Sequence, residues 1–280
     1  MSIEPEPAER RSPGGERGSS RVPGRPLSDR VAFLKRRWLG RRGPGPASDA
    51  EPAISAEMDV ESHTLLVAFG GMFGRIGMPP FEFFSLAGSI PVKRLFVRDL
   101  NQAWYHRGMP GAGTTLASVA ESLSELIDAH RVDRLVVTGN SAGGYGALVF
   151  GTLLRADVVL TFAPQTVLDL DELAAIGDHR WDDRLRPLVQ EGALDARWID
   201  LGPALAAAPH RASRYEVYFD ESLAVDRQHV ERLLGVPNLR LYRFGRGRHH
   251  LVGALRDCGA LARILQRALQ APVSRTDALS

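Results

Sequence analysis

The sequence predicts an α/β fold, a mostly parallel sheet with helices on both faces. Three observations carry this. Short apolar runs rich in β-branched residues recur at 64–69, 92–99, 135–138, 156–162, 214–219 and 239–244, most ending against glycine, proline or aspartate. Helix-compatible segments fall between them at 115–130, 145–154 and 226–234, and after the last of them at 252–269. Strands that alternate with helices run parallel, because each helix is a crossover, and the helices then cover both sheet faces. The third observation is one junction: the strand Leu135–Thr138 stops at Gly139-Asn140-Ser141-Ala142-Gly143, and an apolar helix follows from Tyr145.

In chain order, residues 1–27 are Pro, Gly, Ser, Arg and Glu with almost no aliphatic content, too little apolar surface to offset chain entropy. Residues 28–42 differ. Ser28 or Asp29 can cap a short helix, and Val31, Phe33, Leu34, Trp38 and Leu39 stand among six cationic residues. Such a basic amphipathic segment fits weak contact with an anionic membrane surface or an acidic partner; it fits docking on its own domain as well. A breaker cluster at 43–52 separates it from the fold. The expected organisation is a disordered basic tail over 1–50, one domain over 60–272, and a flexible tail over 273–280.

The strand at 64–69 leads into Gly70-Gly71-Met72, and the strand at 92–99 into the polar and aromatic loop 101–108. Such a loop lies at the C-terminal edge of an open parallel sheet, where ligands bind. Trp104, Tyr105, His106 and Arg107 are therefore candidate substrate-binding residues, although His106 also reads as a structural histidine. Thr114 or Thr115 caps the next helix, whose Leu116, Val119, Leu123, Leu126 and Ile127 share one face. Residues 167–212 lose the strand–helix rhythm and are expected to form a lid inserted over the pocket.

The junction at 139–143 has a chemical reason. A serine at a strained strand-to-helix turn lifts its hydroxyl clear of the backbone, and glycine two residues to either side leaves room for neighbouring strand and helix. The helix behind Ser141 aims free N–H groups and its positive dipole end at the site, which suits an oxyanion. A serine hydroxyl is a weak nucleophile at neutral pH and needs a histidine base oriented by a carboxylate. Both follow in the chain. Asp220 and Asp226 come after the strand 214–219, and His249 and His250 after the strand 239–244. All fall at C-terminal strand ends, on one edge of the sheet.

Across residues 62–270 the chain resembles the α/β-hydrolase superfamily. The stretches Phe96–Asp99, Ala103–Gly108, Gly139–Tyr145 and Phe162–Gln165 look like a bacterial branch of it. The resemblance implies Ser141 as nucleophile and His249 as base, since His249-His250-Leu251-Val252 looks like the usual opening of the last helix. It implies an oxyanion hole from the amides of Ala142 and of Met72 or Gly71. The acid is expected at Asp226, with Asp220 in reserve; either also reads as structural, Asp226 as a helix N-cap and Asp220 as a polar strand end. The expected activity is serine hydrolysis of an acyl ester or thioester, as an esterase acting on a small-molecule or glycan-linked substrate. Transfer to an acceptor other than water, or a non-catalytic binding scaffold, are the alternatives. No His-Gly-Gly-Gly signature of the lipase type is present.

Composition limits the rest. The chain has 280 residues, room for one sizeable core, and no apolar run approaches the roughly 18 residues of a membrane span. Met1–Ser20 lacks an apolar signal region, and the single cysteine, Cys258, fits a reducing compartment, so the expected location is the cytoplasm. Cys258 is expected to be a buried thiol on the last helix. Eleven basic and five acidic residues in 1–46 leave the remainder mildly acidic, so no nucleic-acid partner is expected. No metal and no organic cofactor is implied.

Overall fold

The computed structural model describes residues 53–72, 90–209, 212, 214–245, 249 and 251–270. The tail 1–50 with its segment 28–42, His250, and residues 273–280 lie outside the described residues.

Among the described residues the strands form one sheet. They are β1 (Ile54–Glu57), β2 (Thr64–Phe69), β3 (Lys93–Val97), β4 (Arg134–Asn140), β5 (Val158–Phe162), β6 (Tyr215–Asp220) and β7 (Leu239–Phe244), in spatial order β1-β3-β2-β4-β5-β6-β7. All neighbours pair parallel except β1, which runs antiparallel along β3. The helices are α1 (Leu116–Asp128), α2 (Ala142–Leu153), α3 (Leu170–Ala175), α4 (Asp182–Gln190), α5 (Leu201–Ala206), α6 (Ala224–Glu231), α7 (Leu251–Asp257) and α8 (Ala260–Gln270).

Alternation along β2 shows why the central strands read as unbroken apolar runs. Leu65, Val67 and Phe69 face the core under α1 and α2, while Leu66 and Ala68 face the second core, made with α7 and α8. The strand β7 at the edge instead carries exposed Arg240 and Arg243, charges that discourage pairing with another chain. Thr115 caps α1, accepting from the Ser118 amide in a capping box.

Three details depart from expectation. The strand β1 has no apolar run to announce it; its Ile-Ser-Ala-Glu is held by ladder bonds to β3. The last helix is two helices, broken at Gly259, whose φ of +70° is the left-handed turn a helix end favours. Cys258, at that break, is exposed rather than buried.

The connections position the site. From β2 the chain crosses to β3 on one side, then returns past β2 to β4 and continues the other way through β5, β6 and β7. Such a reversal opens a crevice at the C-terminal ends of β2 and β4, where Gly70-Gly71 and Ser141 stand.

Candidate active site

Ser141 joins β4 to α2 with φ 56° and ψ −120°, a conformation a non-glycine residue holds only under tertiary constraint. Its amide donates to Phe162 O at 3.0 Å, and its carbonyl accepts from Tyr145 and Gln165. A Cβ at Gly139 would stand 2.0 Å from Gly143 O, and one at Gly143 would stand 2.2 Å from Phe69 O. The glycines thus let α2 start hard against β4 and the end of β2. Ala142 opens α2, so its N–H is among those with no partner inside the helix. Gly71 lies beside the same turn: a Cβ there would stand 3.4 Å from Asn140 O and 4.0 Å from Gly143 N. Met72 follows it, buried.

His249 reaches this turn from beyond β7. Its Nε2 is 3.0 Å from Ser141 Oγ, and its Nδ1 is 3.0 Å from both Asp226 carboxylate oxygens. A carboxylate is acceptor-only, so the network puts the proton on Nδ1 and leaves the Nε2 lone pair to the serine hydroxyl. Asp226 sits in the first turn of α6 with its side chain 1% exposed. It is not the N-cap; that place is Leu223. Asp220 turns the other way, its Oδ1 accepting from the amide and hydroxyl of Ser222. A hydroxyl bonded to an imidazole that is backed by a buried carboxylate can lose its proton as it attacks.

The loop 101–108 packs inward for most of its length. Trp104 and Tyr105 are completely buried and His106 is 6% exposed. Asp99 gathers the loop by accepting from the amides of Asn101, Ala103 and Tyr105, which holds Trp104 and Tyr105 at φ 50° and 67°. The Tyr105 ring packs edge-on to Phe69 and Phe150, with its hydroxyl donating to Gly70 O at 2.8 Å. Trp104 Nε1 donates to Gln165 Oε1 at 2.7 Å. His106 Nδ1 accepts from the Asp195 amide and Nε2 donates to the Tyr145 hydroxyl, which itself donates to Trp198 O. Both ring nitrogens are occupied in the neutral form, and burial pushes the imidazole down to about 4. Arg107 is exposed and pairs with Glu191.

Sequence reasoning missed two residues of the segment 167–212, Asp178 and Arg180. Asp178, 1% exposed, takes Arg180 Nε and Nη2 at 2.7 Å each and faces His229 Nε2 at 2.9 Å. Burial opposes the Asp178 charge, but the hydrogen bonds from Arg180 and His229 outweigh it and hold the carboxyl well below the usual range. The remaining guanidinium nitrogen, Nη1, stands 3.6 Å from Asp226 Oδ1 and 3.2 Å from His249 Nδ1. No pattern in 167–212 announces this, since only the fold brings the 178–180 turn to α6. Among the described residues no His, Cys, Asp or Glu cluster is arranged to hold a metal ion, and no helix is long and apolar enough to cross a membrane.

The protein has the α/β-hydrolase fold, with a Ser141–His249–Asp226 array at its strand-end crevice. Among solved structures it is similar to the capsule O-acetyltransferase of Neisseria meningitidis serogroup A, at 13% identity and TM-score 0.56 over 76% of this chain and 90% of that one. It is similar to a carboxyl esterase of the mycorrhizal fungus Tuber melanosporum, at 14% identity and TM-score 0.52, covering 88% and 99%. An α/β-hydrolase enzyme from the sediment metagenome of the Mar Chica lagoon, Morocco, aligns at 16% identity and TM-score 0.50, covering 79% and 97%. No protein-family model and no curated protein sequence matches the chain.

Proposed function

We propose that the protein is a serine hydrolase that cleaves an acyl ester or thioester through an acyl-enzyme on Ser141. The observation that carries this is the continuous line from Asp226 through His249 to the Ser141 hydroxyl, 3.0 Å at each step. Ser141 Oγ attacks the acyl carbonyl as its proton passes to His249 Nε2, and the buried Asp226 carboxylate balances the imidazolium. The Ala142 amide, with that of Met72 or Gly71, holds the oxyanion. His249 then protonates the leaving group, and water repeats the cycle to free the acid. The substrate is a small-molecule or glycan-linked acyl compound, and the setting is the cytoplasm. A sugar, amine or thiol in place of water would make the same array an acyltransferase, as the Neisseria neighbour is an O-acetyltransferase.

A fluorophosphonate tests this. Intact mass should show one adduct on the protein and none on Ser141→Ala. Acyl esters and thioesters incubated with and without added acceptors then separate hydrolysis from transfer by product. Absence of any adduct on the intact protein would favour a binding scaffold.

A further inference from the structure

The Asp178–Arg180 pair lies within ion-pair reach of the site, and it poses a problem. Arginine prefers a carboxylate it can grip with two nitrogens. Two buried carboxylates lie within its reach, Asp178 and Asp226, each 1% exposed. Both Asp226 oxygens already face His249 Nδ1. Were Arg180 to take Asp226 by the fork, His249 would lose the group that fixes its tautomer. Because Nδ1 carries the proton, Arg180 Nη1 cannot donate to it, and the guanidinium also opposes an imidazolium 3.2 Å away. What prevents capture is Asp178. It occupies Nε and Nη2 together, is itself held by His229, and leaves only Nη1 turned towards Asp226 at 3.6 Å.

We infer that Asp178 is a positioning residue: by holding the Arg180 fork it keeps that guanidinium from taking Asp226 away from His249. The inference rests on the proposed Ser141–His249–Asp226 chemistry but has a readout independent of it. Asp226 and Arg180 both face His249 Nδ1, one from α6 and one from the 178–180 turn. The 178–180 turn thereby reaches His249 and Asp226 directly.

The test inverts ordinary conservatism. Arg180→Lys keeps the charge but cannot be gripped at two nitrogens, so its ammonium is free to seek Asp226. Arg180→Met removes the competitor. Lys should slow fluorophosphonate capture at least about 10-fold more than Met does. Asp178→Asn should be as slow as Arg180→Lys, and the double variant Asp178→Asn/Arg180→Met should recover about 10-fold over Asp178→Asn. The second readout is the downfield Nδ1 proton of His249 in NMR. It should be present in the intact protein and in Arg180→Met, and lost in Arg180→Lys. If Lys equals or outperforms Met, or the resonance survives in Lys as in Met, the inference is overturned. The Lys and Met pair decides the matter even if Asp178→Asn does not fold. An intact protein that shows the resonance but takes no label would sink the hydrolase reading alone, and the NMR comparison would still judge the inference.

Discussion

Helix α6 contributes to two Asp–His pairs. Asp226 faces His249 Nδ1 at 3.0 Å, and one turn along, His229 Nε2 faces Asp178 at 2.9 Å. The carboxylates are equally buried and the distances nearly equal, yet the pairs differ at the far nitrogen of each ring. His229 Nδ1 accepts from the Thr166 amide at 3.3 Å and lies 3.2 Å from its hydroxyl, with the side chain 1% exposed. His249 Nε2 meets a serine hydroxyl on a strained turn, and its side chain is 25% exposed. An Asp–His pair is therefore not in itself a reactive site. The second nitrogen must be offered to a group that can react, and substrate must be able to reach it. His106 sharpens the point, with both nitrogens taken and the ring driven neutral by burial.

The largest effect expected from this contrast is at Asp226. Asn there keeps the shape, removes the charge and leaves the imidazole without a carboxylate partner, so turnover should fall about 10⁴-fold with folding intact. Asp220→Asn should lose no more than a few-fold, because that carboxylate serves Ser222. Parallel kinetics and circular dichroism on the two variants check this, and the opposite ranking would make Asp220 the acid.

The next is the pH response of His106. Its folded value of about 4 lies below the ordinary 6.5, so the unfolded chain binds the extra proton between those values. Stability is then full above pH 6.5 and falls as pH drops towards 4, by at most about 3 kcal/mol. Denaturant melts from pH 7.5 to 4.5 should show this loss, and His106→Gln should flatten it. A slope unchanged by that substitution would show that other groups set the acid sensitivity.

The smallest effect is at His229. Replacing it with Gln strands the Thr166 amide and weakens the hold on Asp178, so stability should drop about 1–3 kcal/mol. Asp178 still grips Arg180 in this variant, so the labelling rate should stay within a few-fold. A loss of rate as deep as that of Asp226→Asn would mean the two pairs are not separate in function.

Much of the molecule was legible in the chain because the signals are local. The run 239–244 matches β7, Thr115 caps α1, and the glycines around Ser141 declare a turn whose tight packing admits no Cβ. The order serine, aspartate, histidine at strand ends puts Ser141, Asp220 or Asp226, and His249 or His250 on one edge of the sheet. Less legible was whatever depends on contacts distant in sequence. Composition marks the aromatic loop 104–106 but not the three amides turned onto Asp99 that hold it in place. Gly259 breaks the last helix where its periodicity runs on unbroken.

Sequence alone determined the parallel α/β architecture and the residue types at the site, because hydrophobic period and turn chemistry act over a few residues. Tertiary structure decided which aspartate meets His249. Asp220 ends β6 and Asp226 comes six residues on; the start of α6 at Ala224 turns Asp226 towards the imidazole while Asp220 closes on Ser222. It also decided that Arg180, 69 residues before His249, stands beside it. No local pattern encodes that approach, since it depends on how the 178–180 turn packs against α6.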